Sequence, residues 1–272
     1  MSAEKKDWKI GIVAEGPTDY ALLNGLIRRM TGSGDCLRIQ PEEPPNGNGS
    51  GWKGVLKWCR NSIIKQAGTR ILADGVPMDL LVVHLDGDVS RTAENRAVHC
   101  LSGCPSARRC PDYQRKDPLR CNSAPDECPV EIPCPGHSQS PDGYAAHLSG
   151  LIRHLANAPP ETSGKICPVV ICDSTEAWIV AAFDQTPNPE EIPDPWRSVV
   201  AASGTYHGLK LPKKTGKDAP KNPPERKKTE RVYQDKFLPE VKKEWDCVKR
   251  LCPSADRFER DVLSALGLLN PA

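Results

Sequence analysis

What the chain lacks narrows it first. It has almost no charge imbalance: 37 Lys plus Arg stand against 35 Asp plus Glu, a formal net charge of +2 over 272 residues. Global charge therefore carries no argument for a polyanionic partner, and any such argument has to come from local patches. No apolar run approaches the ~20 residues that a bilayer-crossing helix needs, which sets aside a membrane partner. The opening stretch Met1 to Asp7 is polar and holds no apolar signal core. The chain is accordingly read as cytoplasmic. Aromatics are few, and no internal repeat is present. Cysteine is the opposite case, with twelve. In a cytoplasmic protein that number argues for metal ligation rather than disulfides. The length allows one large domain or two small ones, and is enough to bury a real core.

What is present is a set of carboxylates, each at the carboxyl end of an apolar, strand-like run. Trp8 to Ala14 leads into Glu15, Leu80 to Leu85 into Asp86-Gly87-Asp88, and Pro168 to Cys172 into Asp173-Ser174-Thr175-Glu176. In an open α/β sheet, ligands bind outside the carboxyl ends of the strands. Carboxylates gathered there repel one another unless a cation joins them, and oxygen-rich clusters of this kind suit Mg²⁺ or Mn²⁺. Taken singly, Glu15 reads as a surface carboxylate favouring a helix N-terminus, and Asp86 and Asp88 as a polar turn. Taken jointly, Glu15, Asp86, Asp88 and Glu176 argue for a metal site and for metal-assisted chemistry on a phosphate ester. Asp19 is expected to cap its helix. His84, inside a strand, is expected to be a satisfied core histidine.

Along the chain, the spacing predicts a strand over 8–14, a helix over 20–30 and a short strand over 36–39. An amphipathic helix over 52–66 would turn Val55, Leu56, Trp58, Ile63 and Ile64 inward. A buried parallel strand covers 78–85, a helix 143–155, a strand 166–172 and a helix 175–183. Strands alternating with helices predict a right-handed parallel α/β core over 1–190. A basic linker and a helical C-terminal region fill 191–272, the helical part placing Trp245, Val248, Leu251, Phe258, Val262, Leu263 and Leu266 inward.

Between 96 and 141 the pattern breaks into a Cys- and Pro-rich insert without apolar periodicity. A compact domain does not carry so long a structureless loop, so something other than a hydrophobic core should hold it. Cys100, Cys104, Cys110, Cys121, Cys128, Cys134 and His137 are candidate ligands, with His99 adjacent. Thiolates and imidazoles suit a structural Zn²⁺. Their spacings are not paired C-x2-C motifs, so an iron–sulfur cluster is the second reading and disulfides the third. Cys36, Cys59, Cys167, Cys172, Cys247 and Cys252 lie in strand- or helix-like runs and read as small buried thiols. Arg108, Arg109, Arg115 and Arg120 in the insert, and the lysine-rich run over 209–231, suit either a solvated surface or contacts to nucleic-acid phosphates.

The motif Val13-Ala14-Glu15-Gly16-Pro17-Thr18-Asp19, together with Leu85-Asp86-Gly87-Asp88 and Ser174-Thr175-Glu176-Ala177-Trp178, resembles Toprim domains of the OLD/RloB type. These bacterial proteins are often encoded beside SMC- or ABC-like ATPases in phage-defence loci. The resemblance covers 8–30, 79–90, 165–185 and about 230–268, and does not reach 91–140. It implies a Toprim-like parallel sheet flanked by helices. It also implies that Glu15 ligates metal or moves a proton, that Asp86 and Asp88 form the Mg²⁺-binding pair, and that Glu176 is a further acidic ligand. A cation is expected near the scissile phosphate, with Lys213, Lys214 and Lys217 as candidates by character. The implied function is a Mg²⁺-dependent nuclease on DNA or RNA, the effector of an ATPase-coupled anti-phage system. A second reading is a non-catalytic sensor subunit that docks a partner ATPase through the insert and the C-terminal helices. Primase-like synthesis is a third, disfavoured because no further polymerase region is recognisable.

Overall fold

The computed structural model describes residues 7–41, 48–90, 96–101, 107–110, 119, 121, 140–200, 205–214 and 226–269. Its centre is a parallel sheet of four strands in the order β2-β1-β6-β7. These strands are β1 (Ile10–Val13), β2 (Leu37–Gln40), β6 (Leu80–Asp86) and β7 (Ile166–Ile171). β1 and β7 are buried throughout, and β6 up to its last residue. Continuous aliphatic runs are what a sheet covered on both faces requires.

Helix α1 (Pro17–Thr31) starts with a proline whose fixed φ suits the first turn. It ends at Gly32, which takes φ 65° while its N–H donates to the Arg28 carbonyl. α1 packs in the core on one sheet face, with Leu22, Leu23, Leu26 and Ile27 buried. Helix α2 (Gly51–Asn61) packs in the core on the other, through Val55, Leu56 and Trp58. The chain therefore leaves β1 over one face and returns to β6 over the opposite face. β1 and β6 pair side by side, so their carboxyl ends flank a topological switch point, where α/β sheets open a crevice.

The helix expected over 52–66 stops at Asn61. An antiparallel meander follows: β3 (Ile64–Ala67), β4 (Arg70–Ala73) and β5 (Val76–Met78). Asp74 and Gly75 both have positive φ, 50° and 83°, as a two-residue hairpin turn needs. Ile64 is buried as expected, but its neighbour Ile63 is 61% exposed. Side chains alternate from here with period two, and the helical reading had placed both inward.

Helix α3 (Arg96–Leu101) opens the Cys-rich insert. Ala97, Val98 and Leu119 are buried in the second core, so a hydrophobic anchor does hold part of this segment. Helix α4 (Pro141–Ala156) covers the same face of the sheet, and Ser140 caps it by accepting from the Gly143 N–H at 3.1 Å. Helix α5 (Glu176–Asp184) leaves the end of β7, and a short helix α6 (Pro195–Val199) and a hairpin β8 (Thr205–Tyr206) and β9 (Leu209–Lys210) follow.

The tail is helical, as its spacing predicts. α7 (Glu230–Val232) runs through a π-helical turn at Tyr233–Phe237 into α8 (Leu238–Lys243), then α9 (Trp245–Leu251) and α10 (Pro253–Ala265). It joins the core that holds α1 and α5. Trp178 stacks on Phe258 at 5.5 Å and meets Trp245 edge-on at 5.6 Å, and all three are buried. At Gly25 a Cβ would lie 2.2 Å from Leu238 Cδ2, so α1 and α8 approach as closely as only glycine permits. Leu251 and Leu263 sit half-buried at the edge of this packing. No helix among the described residues is long and apolar enough to cross a membrane.

Candidate metal centre

The crevice between β1 and β6 gathers its side chains from four elements. Glu15 follows β1, Asp86 ends β6, Asp19 lies in the first turn of α1, and Glu176 opens α5. His84 lies two residues before Asp86, so the strand's alternation sends both side chains to one face. Glu15 Oε1 accepts from the Asp86 N–H at 2.8 Å. His84 Nε2 lies 3.3 Å from Asp86 Oδ1. One ligand atom each from Asp19, His84 and Asp86 falls within 4.8 Å of the others, the only such group of three among the described residues.

Gly87 sits between the aspartates because nothing larger fits. A Cβ there would lie 2.8 Å from the Ile171 carbonyl and 2.6 Å from the Tyr144 ring. The chain then turns, and Asp88 stands exposed at the mouth with its N–H on the Asp173 carbonyl at 3.3 Å. The sequence thus places Asp86 inside the cleft and Asp88 at its lip.

Asp19 does not cap α1. The N-cap is Gly16, with no side-chain bond. Asp19 is buried instead, and its Oδ1 accepts from Thr175 Oγ1 at 2.8 Å. His84 is fully buried but not fully satisfied: its Nδ1 has no hydrogen-bond partner, and its Nε2 meets Asp86 Oδ1 only in the 3.3 Å ion-pair contact. Each such buried atom costs about 1–3 kcal/mol and calls for a reason. A divalent cation held among Asp19, His84 and Asp86 would supply one. Two carboxylates fit Mg²⁺, and the imidazole tips the set towards Mn²⁺.

The electrostatics agree with that fit. Burial pushes the Asp86 carboxyl up to about 7, opposed by His84 and reinforced by Asp19 and Glu176. Burial raises Glu15 well above the carboxylate range, and the charge of Asp86 adds to it. Asp19 is raised chiefly by burial. His84 is pulled down by burial, but its contact with Asp86 outweighs this and leaves it raised. His84 and Lys228 offset only part of the carboxyls' rise, and metal binding would displace the protons that remain.

Glu176 differs. Burial works to raise it, yet the Lys228 ammonium 2.8 Å from its Oε1 prevails and holds the carboxyl below its usual range. The Tyr233 hydroxyl donates to the same oxygen, and Ser174 Oγ donates to Oε2 at 2.6 Å. Both oxygens are therefore engaged by the protein, so in this arrangement Glu176 holds Lys228. The ammonium also lies 5.4 Å from the centre of the Trp196 ring. Lys228, Asp86, Asp88, Asp173 and Ser174 line one cleft of about 390 Å³.

Among the described residues, the cation that lines the cleft is Lys228. Lys213 pairs through its backbone with Arg226 and lines a different cavity, Lys214 is exposed, and Lys217 lies outside the described residues. Asp19, His84, Lys228 and Tyr233 were not assigned to the site from the sequence. Two had a usable signal: Asp19 is one helical turn beyond Glu15, and His84 shares a strand face with Asp86.

In the insert, Cys100 is buried on α3, and Cys110 and Cys121 are half-buried. The His99 ring stacks on that of His147 at 6.0 Å. Cys104, Cys128, Cys134, His137, Arg115 and Arg120 lie outside the described residues. Cys36, Cys59, Cys167, Cys172 and Cys252 are buried thiols, and Cys247 is half-buried. Burial pushes the first four up to about 12, which leaves them unreactive near neutrality.

No protein-family model matches the chain, and neither a curated protein nor a solved structure matches it.

Proposed function

We propose that the crevice is the active site of a metal-dependent phosphodiesterase, a Toprim-type nuclease on DNA or RNA. The observation that carries this reading is the close trio Asp19, His84 and Asp86, in which His84 Nδ1 is left unpartnered, beside Glu15, with Asp86 and Lys228 lining one cleft. Bound there, a divalent ion supplies Lewis-acid polarisation of a phosphoryl oxygen and a water acidic enough to attack.

The protein's own groups do the rest. Glu15, kept proton-avid by burial, takes the proton that the attacking water loses. The water oxygen bonds to phosphorus, the P–O ester bond breaks with its electron pair on the sugar oxygen, and that oxygen takes up a proton from solvent water, Glu15 later returning its own proton to solvent. Lys228 faces the phosphoryl oxygens, where negative charge grows. Glu176, Tyr233 and Ser174 fix the lysine. Asp88 at the mouth lies where incoming cations arrive first. Coupling to an SMC- or ABC-like ATPase and a cytoplasmic setting belong to the same reading. A structural Zn²⁺ in the insert stands on its sequence alone.

The test is cleavage of labelled DNA and RNA with Mn²⁺ or Mg²⁺, by wild type, Asp86→Ala and Glu15→Ala. Cation-dependent cleavage by wild type, lost in both variants with folding intact, supports the reading. Equal cleavage in all three rules it out. Cation binding without cleavage, alone or with an ATPase partner, favours the sensor-subunit alternative.

A further inference from the structure

A second cavity, of about 680 Å³, opens beside the cleft. Lys210, Lys213, Arg226, Arg231 and Lys236 line it, and Asp235 is the only carboxylate in the lining. Asp235 is itself paired with Arg231 at 3.2 Å. The excess of positive charge is therefore local, in a chain that is almost neutral overall. The floor is apolar: Leu211 is buried, and Pro212 and Val232 are half-buried.

The backbone there is built rather than loose. Lys213 and Arg226 form an antiparallel bridge, the Lys227 N–H donates to the Pro212 carbonyl at 2.9 Å, and Arg226 Nη1 reaches the Leu211 carbonyl at 3.4 Å. Arg226 and Thr229 line this cavity while Lys228, between them, lines the acid cleft. With Cα atoms ~3.8 Å apart along the chain, the wall is one strand of backbone thick.

We propose that this cavity seats the nucleic-acid strand that enters the acid cleft, with a base on the Leu211–Pro212–Val232 floor and flanking phosphates on the cationic rim. The inference rests on the phosphodiesterase reading for its choice of ligand. A phosphate backbone fits because it carries one negative charge per nucleotide for several rim cations to neutralise, and its bases need an apolar surface.

Binding is measured in the full chain carrying Asp86→Ala, with EDTA present. The probes are fluorescent single-stranded DNA and RNA, titrated between 50 and 200 mM salt. Adding Lys213→Gln, Arg226→Gln and Lys236→Gln should flatten the slope of log affinity against log salt by about 2, at about 0.7 for each phosphate no longer neutralised. Affinity at 150 mM salt should fall about tenfold or more. Lys210→Gln with Lys236→Gln, which alters exposed side chains only, should give a smaller loss in the same direction. Lys57→Gln with Lys65→Gln, away from the cavity, should change nothing. Unchanged affinity and slope in the triple variant overturn the inference, as does equal loss in the control or no binding by the Asp86→Ala chain. Absence of cleavage by wild type sinks the nuclease reading and leaves this binding result standing. Preference for DNA over RNA, or the reverse, identifies the strand.

Discussion

Glu176 is a buried carboxylate and Asp86 a half-buried one in the same region of the molecule, yet their surroundings treat them in opposite ways. Glu176 has its own cation, Lys228, and donors on both oxygens, so its charge is stabilised where it stands. Asp86 sits in a largely desolvated cleft among carboxylate neighbours, with only the His84 ring 3.3 Å from its Oδ1 to oppose them, so its charge is resisted. The difference separates a group whose partner is built into the fold from one whose partner must come from outside. It also sets opposite pH dependences. A raised carboxyl binds its proton more tightly folded than unfolded, so the Asp86 contribution is present in acid and lost as pH rises through about 7. Glu176, held low, contributes above the ordinary carboxylate range and loses that contribution as pH falls through its lower folded value.

The largest expected effect breaks the cation-seeking side. Asp86→Ala should cut cation-dependent cleavage by about 10³-fold or more, while the melting temperature without added metal holds or rises, because a resisted charge is gone. A loss of both together would mean that Asp86 is structural. Glu176→Gln attacks the self-sufficient side and should act the other way round. It leaves Lys228 without its counter-charge. Breaking a fully buried pair costs ~3–5 kcal/mol, but the Lys228 side chain is 41% exposed, so about 1–3 kcal/mol is expected after solvent screening. Thermal melts would read this as a drop of several degrees, with cation binding by calorimetry retained.

A smaller effect tests the pH signs. Mn²⁺ should raise the melting temperature more at pH 8 than at pH 6, because at pH 6 the cation must displace the Asp86 proton. Asp86→Asn should flatten that difference. An equal Mn²⁺ shift at both pH values would place the cation elsewhere.

The same contrast explains what the sequence disclosed. Glu15 and Asp86 were legible because each ends an apolar run, and the parallel sheet turns a strand end into a place. The β1, β6 and β7 strands were legible for the same reason. Asp19 was visible but read as a cap, because residue spacing cannot tell a side chain turned to its own helix from one turned to a neighbouring strand. His84 looked like core and is core; what burial hides is that its nitrogens have no partner. Lys228 lies 52 residues beyond Glu176, and only the packing of the C-terminal helices against α5, with Tyr233 on Glu176, brings them together. The meander over 64–78 was missed because Val55, Leu56, Trp58 and Ile64 fit a helical stripe that runs on past Ser62. The Asp74-Gly75 turn was the contrary signal.

Asp88→Asn is the mildest perturbation and separates the cleft's interior from its lip. Asp88 is exposed, so losing its charge should alter stability by no more than about 0.5 kcal/mol. Its side chain is not in the close trio, so cation affinity should weaken less than with Asp86→Ala. If Asp88 guides cations inward, the loss should shrink as salt screens the approach, since exposed charges fade over a Debye length of ~10 Å at 0.1 M. Calorimetric titration of Mn²⁺ at 20 and 200 mM salt reads this directly. A loss as deep as that of Asp86→Ala and insensitive to salt would instead make Asp88 a ligand, and the cleft would then hold its cation nearer the mouth than the close trio.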